Sequence, residues 1–241
     1  MKIIVFDIWG DLGHFRVPYT TSSPITFPVP TKTSLYGIIG AFLGYDKDEY
    51  LEKIADNNWK FGISIKKAIS KMYIPENFID TKRVKMFARM PKGKPSRTQI
   101  NIEFLKSPYF RIFASSDSIK AHSTLENLLK EHKSVYTISL GISECIANFK
   151  YIGTFEGERI ENNNNFIEIS TIVPLDYINE SDAIDFTEQG KKFLKIHLPV
   201  EMSPQREVIE TKDFLVEANG LSIKARLQSY IRVKNENIIL F

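Results

Sequence analysis

The segment from Pro28 to Gly44, PVPTKTSLYGIIGAFLG, constrains the fold of this chain more than any other. Its large apolar residues recur at helical spacing and predict one buried stripe, formed by Leu35, Ile38, Ile39, Phe42 and Leu43. The opposite face is made of small residues, namely Gly37, Gly40, Ala41 and Gly44. Each glycine inside a helix costs roughly 1 kcal/mol relative to alanine. This face therefore predicts that another group approaches the helix backbone, most simply a packed strand or helix.

The first turn of this helix is polar and contains no acidic residue. Thr31, Thr33 and Ser34 offer hydroxyl groups that can cap the helix, and Lys32 adds a positive charge. A helix N-terminus carries unpaired N–H groups and a partial positive charge, which suit a phosphate. Capping alone also accounts for these residue types, so the sequence leaves both interpretations open here.

A run of cations between Thr81 and Thr98 predicts contact with a polyanion. The run, TKRVKMFARMPKGKPSRT, has no acidic residue and contains seven cations: Lys82, Arg83, Lys85, Arg89, Lys92, Lys94 and Arg97. The formal charge of the whole chain is only +3, so the remainder is net acidic and the charge is polarised. Apolar and aromatic residues interleave with the cations, which favours nucleic-acid contact over a solvated loop. Two prolines and a glycine near its end predict a long loop or a hairpin tip.

Strand signals surround these two segments. Lys2 to Trp9 predicts a central strand, because both of its faces are largely apolar. The clearest hairpin signal begins with the alternating segment Arg97 to Lys106. Ser107 and Pro108 then turn the chain into Tyr109 to Ala114, which we expect to pair with it.

A second helix is predicted from Ser123 to Lys133 with Ser123 as its cap, and a strand from Gly141 to Phe155 follows. The resulting order of strand, helix, two strands, helix and strand is typical of ferredoxin-like and RNA-recognition domains. We therefore predict an α+β fold. We expect a ferredoxin-like N-terminal domain at residues 1–155, with the basic hairpin at about residues 81–98, and a β-rich C-terminal region at residues 156–241.

Few residues suggest catalysis, and no metal or cofactor site is predicted. The single Cys145 excludes an internal disulfide, and the four histidines lack metal-ligand spacing. Tyr36, His14 and Lys32 lie near one another in the sequence and would supply an acid, a base and a cation for metal-independent RNA cleavage if they met in space. No apolar segment approaches the roughly 18 residues of a membrane span, so we expect a cytoplasmic protein without a membrane partner.

Four segments together resemble CRISPR-associated (Cas) protein family five, in the form found in the type I-B Cascade complex. They are KIIVFDIWGDLGHFR, SPITFPVPTKTSLYGIIGAFLGY, SRTQINIEFLKSPYFRIF and VYTISLGISE. The resemblance covers roughly the first 150 residues, and the helix segment is its most specific part. It implies a member of the RAMP superfamily that holds the 5′ handle of CRISPR RNA at one end of a surveillance complex for antiviral defence.

The resemblance also implies partners and site residues. The expected partners are CRISPR RNA, a Cascade backbone subunit and a large subunit, with target DNA contacted only indirectly. Thr31, Lys32, Thr33 and Ser34 are expected to contact handle phosphates, and Arg16 and Tyr19 to line the approach. The seven cations from Lys82 to Arg97 are expected to belong to a protruding β-hairpin, the thumb, which contacts the guide and the backbone subunit.

Some relatives of another subtype cleave precursor RNA with a tyrosine and an adjacent lysine and histidine. The surroundings of His132 and His197 do not fit that pattern, so the resemblance implies binding without catalytic residues. A metal-independent endoribonuclease that processes precursor CRISPR RNA remains the alternative, and an interaction module without an RNA role is the third possibility.

Overall fold

The computed structural model describes residues 1–20, 22–79, 97–162, 165–178 and 183–241, and these form a β-rich α+β fold. Its helices are α1 (Lys32–Leu43), α2 (Tyr50–Asp56), α3 (Ile119–Lys130) and a 3-10 turn at Leu175–Tyr177. The strands of the first half are β1 (Lys2–Gly10), β2 (Leu12–Gly13), β3 (Phe15–Arg16), β4 (Thr26–Phe27), β5 (Lys60–Ile65), β6 (Lys71–Ile79), β7 (Arg97–Lys106) and β8 (Tyr109–Ser115). Those of the second half are β9 (Ala147–Glu161), β10 (Phe166–Ile169), β11 (Val173–Pro174), β12 (Phe193–Met202), β13 (Val208–Glu217), β14 (Ile223–Arg226), β15 (Ser229–Val233) and β16 (Glu236–Ile238).

The N-terminal strand is central, as predicted. In the described part of the chain it belongs to a six-stranded sheet with the order β16-β15-β9-β1-β8-β5. Strand β1 is antiparallel to both β8 and β9. Ile4, Phe6 and Ile8 point to the core shared with the helices, and Ile3 and Val5 pack on the other face against residues that include Val233 and Ile238.

The first helix has the predicted stripe. Leu35, Ile38, Ile39 and Phe42 are buried, and Phe42 packs edge-on against Phe6 and Phe149 of the sheet at centroid distances of 6.0 and 4.8 Å. Thr31 caps the helix, and Gly44 ends it in the left-handed region at φ 74°. The helix therefore lies between the sheet and strand β12, which also contacts it.

The predicted pairing of β7 with β8 is wrong. Strand β7 pairs with β6 from Ile79↔Arg97 to Lys71↔Leu105, whereas β8 pairs with β1 and β5. At Ser107 (φ 48°) the backbone N–H donates to the carbonyl of Asp11 at 2.7 Å, which directs the chain from one sheet into another. A Ser-Pro connection lacks the Asn-Gly chemistry of a two-residue hairpin turn, so the alternation predicted the strand but not its partner.

Two further boundaries differ from the prediction. Helix α3 starts at Ile119, because Ser118 accepts from the N–H of Ala121 at 3.3 Å, and Ser123 lies inside the helix. The following strand runs over Ala147–Glu161 and not over residues 141–155. The predicted boundary between residues 155 and 156 therefore falls within β9, and the division into two regions stays a prediction.

The C-terminal strands pack against the N-terminal elements. The β12–β13 hairpin lies beside α1. Phe214 of β13 packs edge-on against Phe241, with 4.7 Å between the ring centroids. The backbone of Phe241 exchanges hydrogen bonds with Phe61 of β5. No helix in the described ranges is long and apolar enough to cross a membrane.

Candidate nucleic-acid interface

A groove of about 480 Å³ runs along the start of α1, between the segment at Arg16 and the turn at Arg206. Its polar lining consists of these two arginines, Tyr50 and the hydroxyl residues Thr33, Ser34, Thr137 and Ser139. Its remaining lining is mostly small, with Gly37, Ala41 and Gly141 beside Ile38 and Met202. None of the described residues that line the groove is acidic, so the groove is cationic.

A hydroxyl cluster organises the helix end of this groove. Thr31 is buried at 3% exposure, and its Oγ1 accepts from the N–H of Ser34 at 3.0 Å. The same oxygen lies 2.9 Å from Thr33 Oγ1 and 2.8 Å from Ser34 Oγ. Thr31 therefore caps the helix, and its Oγ1 is hydrogen-bonded to Ser34 and Thr33. These bonds hold the Thr33 and Ser34 hydroxyls at the edge of the groove.

The wall that carries Arg16 is fixed by backbone contacts. The N–H of His14 donates to the carbonyl of Leu140 at 2.9 Å. Gly141 has a φ of 96° and lies close to the carbonyl of His14. A Cβ on residue 141 would overlap this carbonyl oxygen. These contacts hold the segments around residues 14 and 140 side by side. Arg16 itself is exposed and makes no ion pair with any described residue.

Strand β4 is anchored by a buried carboxylate. Oε2 of Glu103 accepts from the N–H of Thr26 at 3.1 Å and from Lys71 Nζ at 2.8 Å, and Oε1 accepts from the Tyr73 hydroxyl at 3.2 Å. Thr26 is the register partner of Arg16. Burial by itself raises the pKa of Glu103. The hydrogen bonds from Lys71, Thr26 and Tyr73 lower it by more than burial raises it, so the pKa lies below its ordinary value.

Arg206 was missed by sequence reasoning. It lies in the turn between β12 and β13 at φ 67°, where its Nη2 donates to the carbonyl of Lys47 at 3.5 Å. Its guanidinium carbon is 5.9 Å from the centre of the Tyr50 ring. A single arginine in a turn 190 residues beyond Arg16 carries no local signal. Only the packing of this hairpin against α1 brings the two cations to one groove.

Lys32 and Tyr36 face a different cavity, of about 260 Å³, between α1 and the β12–β13 hairpin. Glu201, Glu210 and Lys212 also line it. Burial lowers the pKa of Lys32, with Lys212 adding to the effect, and burial together with Glu201 raises the pKa of Tyr36. Lys32 is thus separated from Thr33 and Ser34, its neighbours in the sequence.

The trio of Tyr36, His14 and Lys32 does not assemble in the structure. His14 is 3% exposed, and its Nδ1–H donates to the carbonyl of Glu103 at 2.7 Å. Burial lowers the pKa of His14. Among the described residues that line the cavity at Lys32 there is no histidine.

The remaining predicted residues lie farther out. Tyr19 is 78% exposed beyond β3, and Arg97 is the exposed first residue of β7. The other thumb cations lie outside the described residues: Lys82, Arg83, Lys85, Arg89, Lys92 and Lys94. In the ranges that are described, no group of three or more His, Cys, Asp or Glu side chains could hold a metal ion.

Comparison with known proteins gives one family and a set of similar folds. The model of the family described as CRISPR-associated protein (Cas_Cas5) matches residues 3–209. No curated protein matches the chain with significance.

Several solved structures match nearly the full chain, including the following three. A CRISPR protein from Archaeoglobus fulgidus is 14% identical with a TM-score of 0.56, over 99% of this chain and 98% of that one. A chain of a CRISPR RNA-guided surveillance complex is 11% identical with a TM-score of 0.52, over 92% and 91%. A chain of the Type III-B Cmr-beta complex, bound to cognate target RNA and AMPPnP, is 10% identical with a TM-score of 0.53, over 93% and 86%. At these identities the likeness is one of fold.

Proposed function

The chain belongs to the CRISPR-associated protein family Cas_Cas5, and from this premise we propose that it is a non-catalytic subunit that binds the 5′ handle of CRISPR RNA. The single observation that carries the proposal is the cationic groove beside α1, with Arg16 and Arg206 at its walls and no acidic residue among its described lining. Guanidinium groups and hydroxyls are the usual ligands of phosphate oxygens in nucleic-acid complexes.

The strand order supports a ferredoxin-like fold for the N-terminal part. Taken in chain order, β1, α1, β5, β8, α3 and β9 follow the pattern strand, helix, two strands, helix, strand. Their strands lie in the order β9-β1-β8-β5, all antiparallel. We assign this arrangement to the RNA-recognition-like domain of the RAMP superfamily.

The proposed place in the complex is one end of a type I-B Cascade assembly, next to a backbone subunit and a large subunit. Two of the similar structures belong to a CRISPR RNA-guided surveillance complex and to a Cmr complex bound to target RNA. The ribbon of β6 and β7 supports the assignment of the thumb, because its paired strands flank the basic segment and its outer residues Phe78 and Ile79 are about half exposed. Target DNA would be contacted only through the assembled complex.

Arginine removal tests this function. We expect Arg16→Ala with Arg206→Ala to weaken binding of single-stranded repeat-derived RNA in filter binding, and to reduce the slope of log K against log salt concentration by about 0.7 for each phosphate that is no longer neutralised. Lys32→Ala should have a smaller effect, because its ammonium faces the other cavity. The matched control is Arg159→Ala, an exposed arginine paired with Glu161. Unchanged affinity and salt slope in the double variant would refute the site.

The alternative, a metal-independent endoribonuclease, is favoured by one observation, the shared cavity of Lys32 and Tyr36. Incubation of the full chain with repeat RNA in EDTA separates the two functions. Cleavage within the repeat that is abolished in Tyr36→Phe and Lys32→Ala would establish the enzyme. Intact RNA that stays bound supports the non-catalytic subunit.

A further inference from the structure

The two glycines of α1 and the glycine that ends it have different surroundings, and one of the three is not explained by packing against the described residues. A Cβ on Gly40 would lie 3.1 Å from Cβ of Tyr50. Gly44 adopts φ +74°, and a Cβ there would lie 2.9 Å from the Val135 side chain. A Cβ on Gly37, in contrast, would meet no described atom within 4 Å. Gly37 is therefore the one of the three that leaves open space beside the helix.

That open space belongs to the cationic groove. Ser34, Gly37 and Ala41 are three and four residues apart, so they share one helix face, and all three line the groove. A glycine in a helix interior is destabilising relative to alanine. Nothing in the described fold offsets this at Gly37, since no described group occupies the space that the missing side chain leaves.

The size and chemistry of the groove select its occupant. Its volume of about 480 Å³ lies within the roughly 300–1,000 Å³ of pockets that hold a drug-sized ligand. This is enough for a segment of single-stranded nucleic acid of nucleotide size. Cations and hydroxyls at the walls suit phosphate oxygens, and the small residues of the lining, Gly37, Ala41 and Gly141, allow close approach of a sugar–phosphate backbone.

From this geometry we infer that Gly37 is a contact residue whose missing side chain lets the backbone of single-stranded RNA lie directly against α1. The inference rests on the proposed function. It adds that the size of the side chain at residue 37 determines whether RNA can enter the groove. A side chain at residue 37 would project into the space that the RNA backbone occupies. Stability and RNA affinity must then respond to the same substitution in opposite directions.

The test is Gly37→Ala in the full chain, with Gly37→Leu as the larger change. Gly37→Ala should raise the Tm by about 2 °C, the shift expected from gaining helix propensity in a chain of this size. It should also raise the Kd for a short single-stranded oligouridylate about tenfold in fluorescence anisotropy, and Gly37→Leu should raise it further. Oligouridylate is the probe because a backbone contact does not depend on base sequence.

Two control variants separate the effect of helix propensity from the effect of space in the groove. Thr124→Ala gains helix propensity at an exposed position of α3 and should leave the Kd unchanged. Gly40→Ala gains the same helix propensity but brings its Cβ to 3.1 Å from Cβ of Tyr50, so it should raise the Tm less than Gly37→Ala. A Gly37→Ala variant with lower Tm would overturn the premise of open space. Unchanged Kd in both Gly37 variants, while Arg16→Ala with Arg206→Ala weakens binding, would overturn this inference alone. Unchanged Kd in all of them would overturn the site as well.

Discussion

Replacing Glu103 with glutamine tests whether a buried carboxylate holds strand β4, which pairs with the strand that carries Arg16. The carboxylate accepts from the N–H of Thr26, from Lys71 Nζ and from the Tyr73 hydroxyl. Lys71 Nζ also donates to the carbonyl of Thr26 at 2.8 Å. Glutamine keeps one carbonyl oxygen but places an NH₂ group where the second acceptor was. If the amide oxygen takes the place of Oε2, the NH₂ group faces the Tyr73 hydroxyl, and the bonds from Thr26 and Lys71 are kept but weakened because the acceptor is no longer charged. The ion pair with Lys71 is removed in either orientation.

The magnitude follows from the environment of each donor. A hydrogen bond to a charged group contributes about 1.5–3 kcal/mol. The Lys71 side chain is 34% exposed, so solvent screens its share, whereas the bond from the Thr26 N–H is buried. We expect Glu103→Gln to lower the free energy of unfolding by roughly 2 kcal/mol. This corresponds to a fall in Tm of about 4–8 °C for a chain of this size.

The pH dependence provides a second readout. The net pKa of Glu103 is lowered in the folded state from its ordinary value of 4.5. The stabilisation by its charge is therefore fully present above the ordinary pKa and is lost as the pH falls through the folded pKa. The difference in unfolding free energy between wild type and Glu103→Gln should be constant near neutral pH and shrink below pH 4.5.

The assay is urea unfolding at several pH values, with amide hydrogen exchange at Thr26 as the local measurement. Glu158→Gln, at an exposed position of β9, is the control and should change stability by less than about 0.5 kcal/mol. Faster exchange at Thr26 should accompany the destabilisation in Glu103→Gln. A variant as stable as the control, or a difference that does not shrink in acid, would refute the role given to this carboxylate.

Two further predictions concern the groove wall and the cysteine. Gly141→Ala should destabilise the fold by more than about 2 kcal/mol in urea unfolding, because alanine at φ 96° is strained and its Cβ would overlap the carbonyl of His14; stability equal to wild type would contradict the close approach of these segments. Burial, with a smaller effect from Glu144, raises the pKa of the Cys145 thiol to about 11, so iodoacetamide at pH 8 should modify it only as fast as the chain unfolds. Mass spectrometry that finds rapid labelling of the folded protein would contradict that burial.

Local features were predictable from the sequence, whereas pairings between distant segments were not. The stripe and cap of α1 were correct because helix periodicity and capping act within one turn of the chain. The bounds of β7 were also correct, but its partner was not, since alternation defines the faces of a strand and not its neighbour. The start of α3 was misplaced because Ser118 and Ser123 both have capping chemistry. Arg206 had no signal at all, because its role arises from a turn that packs onto a helix far away in sequence.

The separation of Lys32 from Ser34 shows how helix geometry divides a short polar segment between two sites. Consecutive residues are about 100° apart around a helix. Lys32 and Tyr36 therefore share one face and its cavity, whereas Ser34 and Gly37 share the face that lines the groove. In the cavity at Lys32, Glu201 and Glu210 offset the charges of Lys32 and Lys212, whereas the groove has two arginines and no acidic residue among its described lining. Electrostatics thus favours phosphate binding on the Ser34 side of the helix, where the cations come from Arg16 and Arg206 and not from the lysine in the first turn.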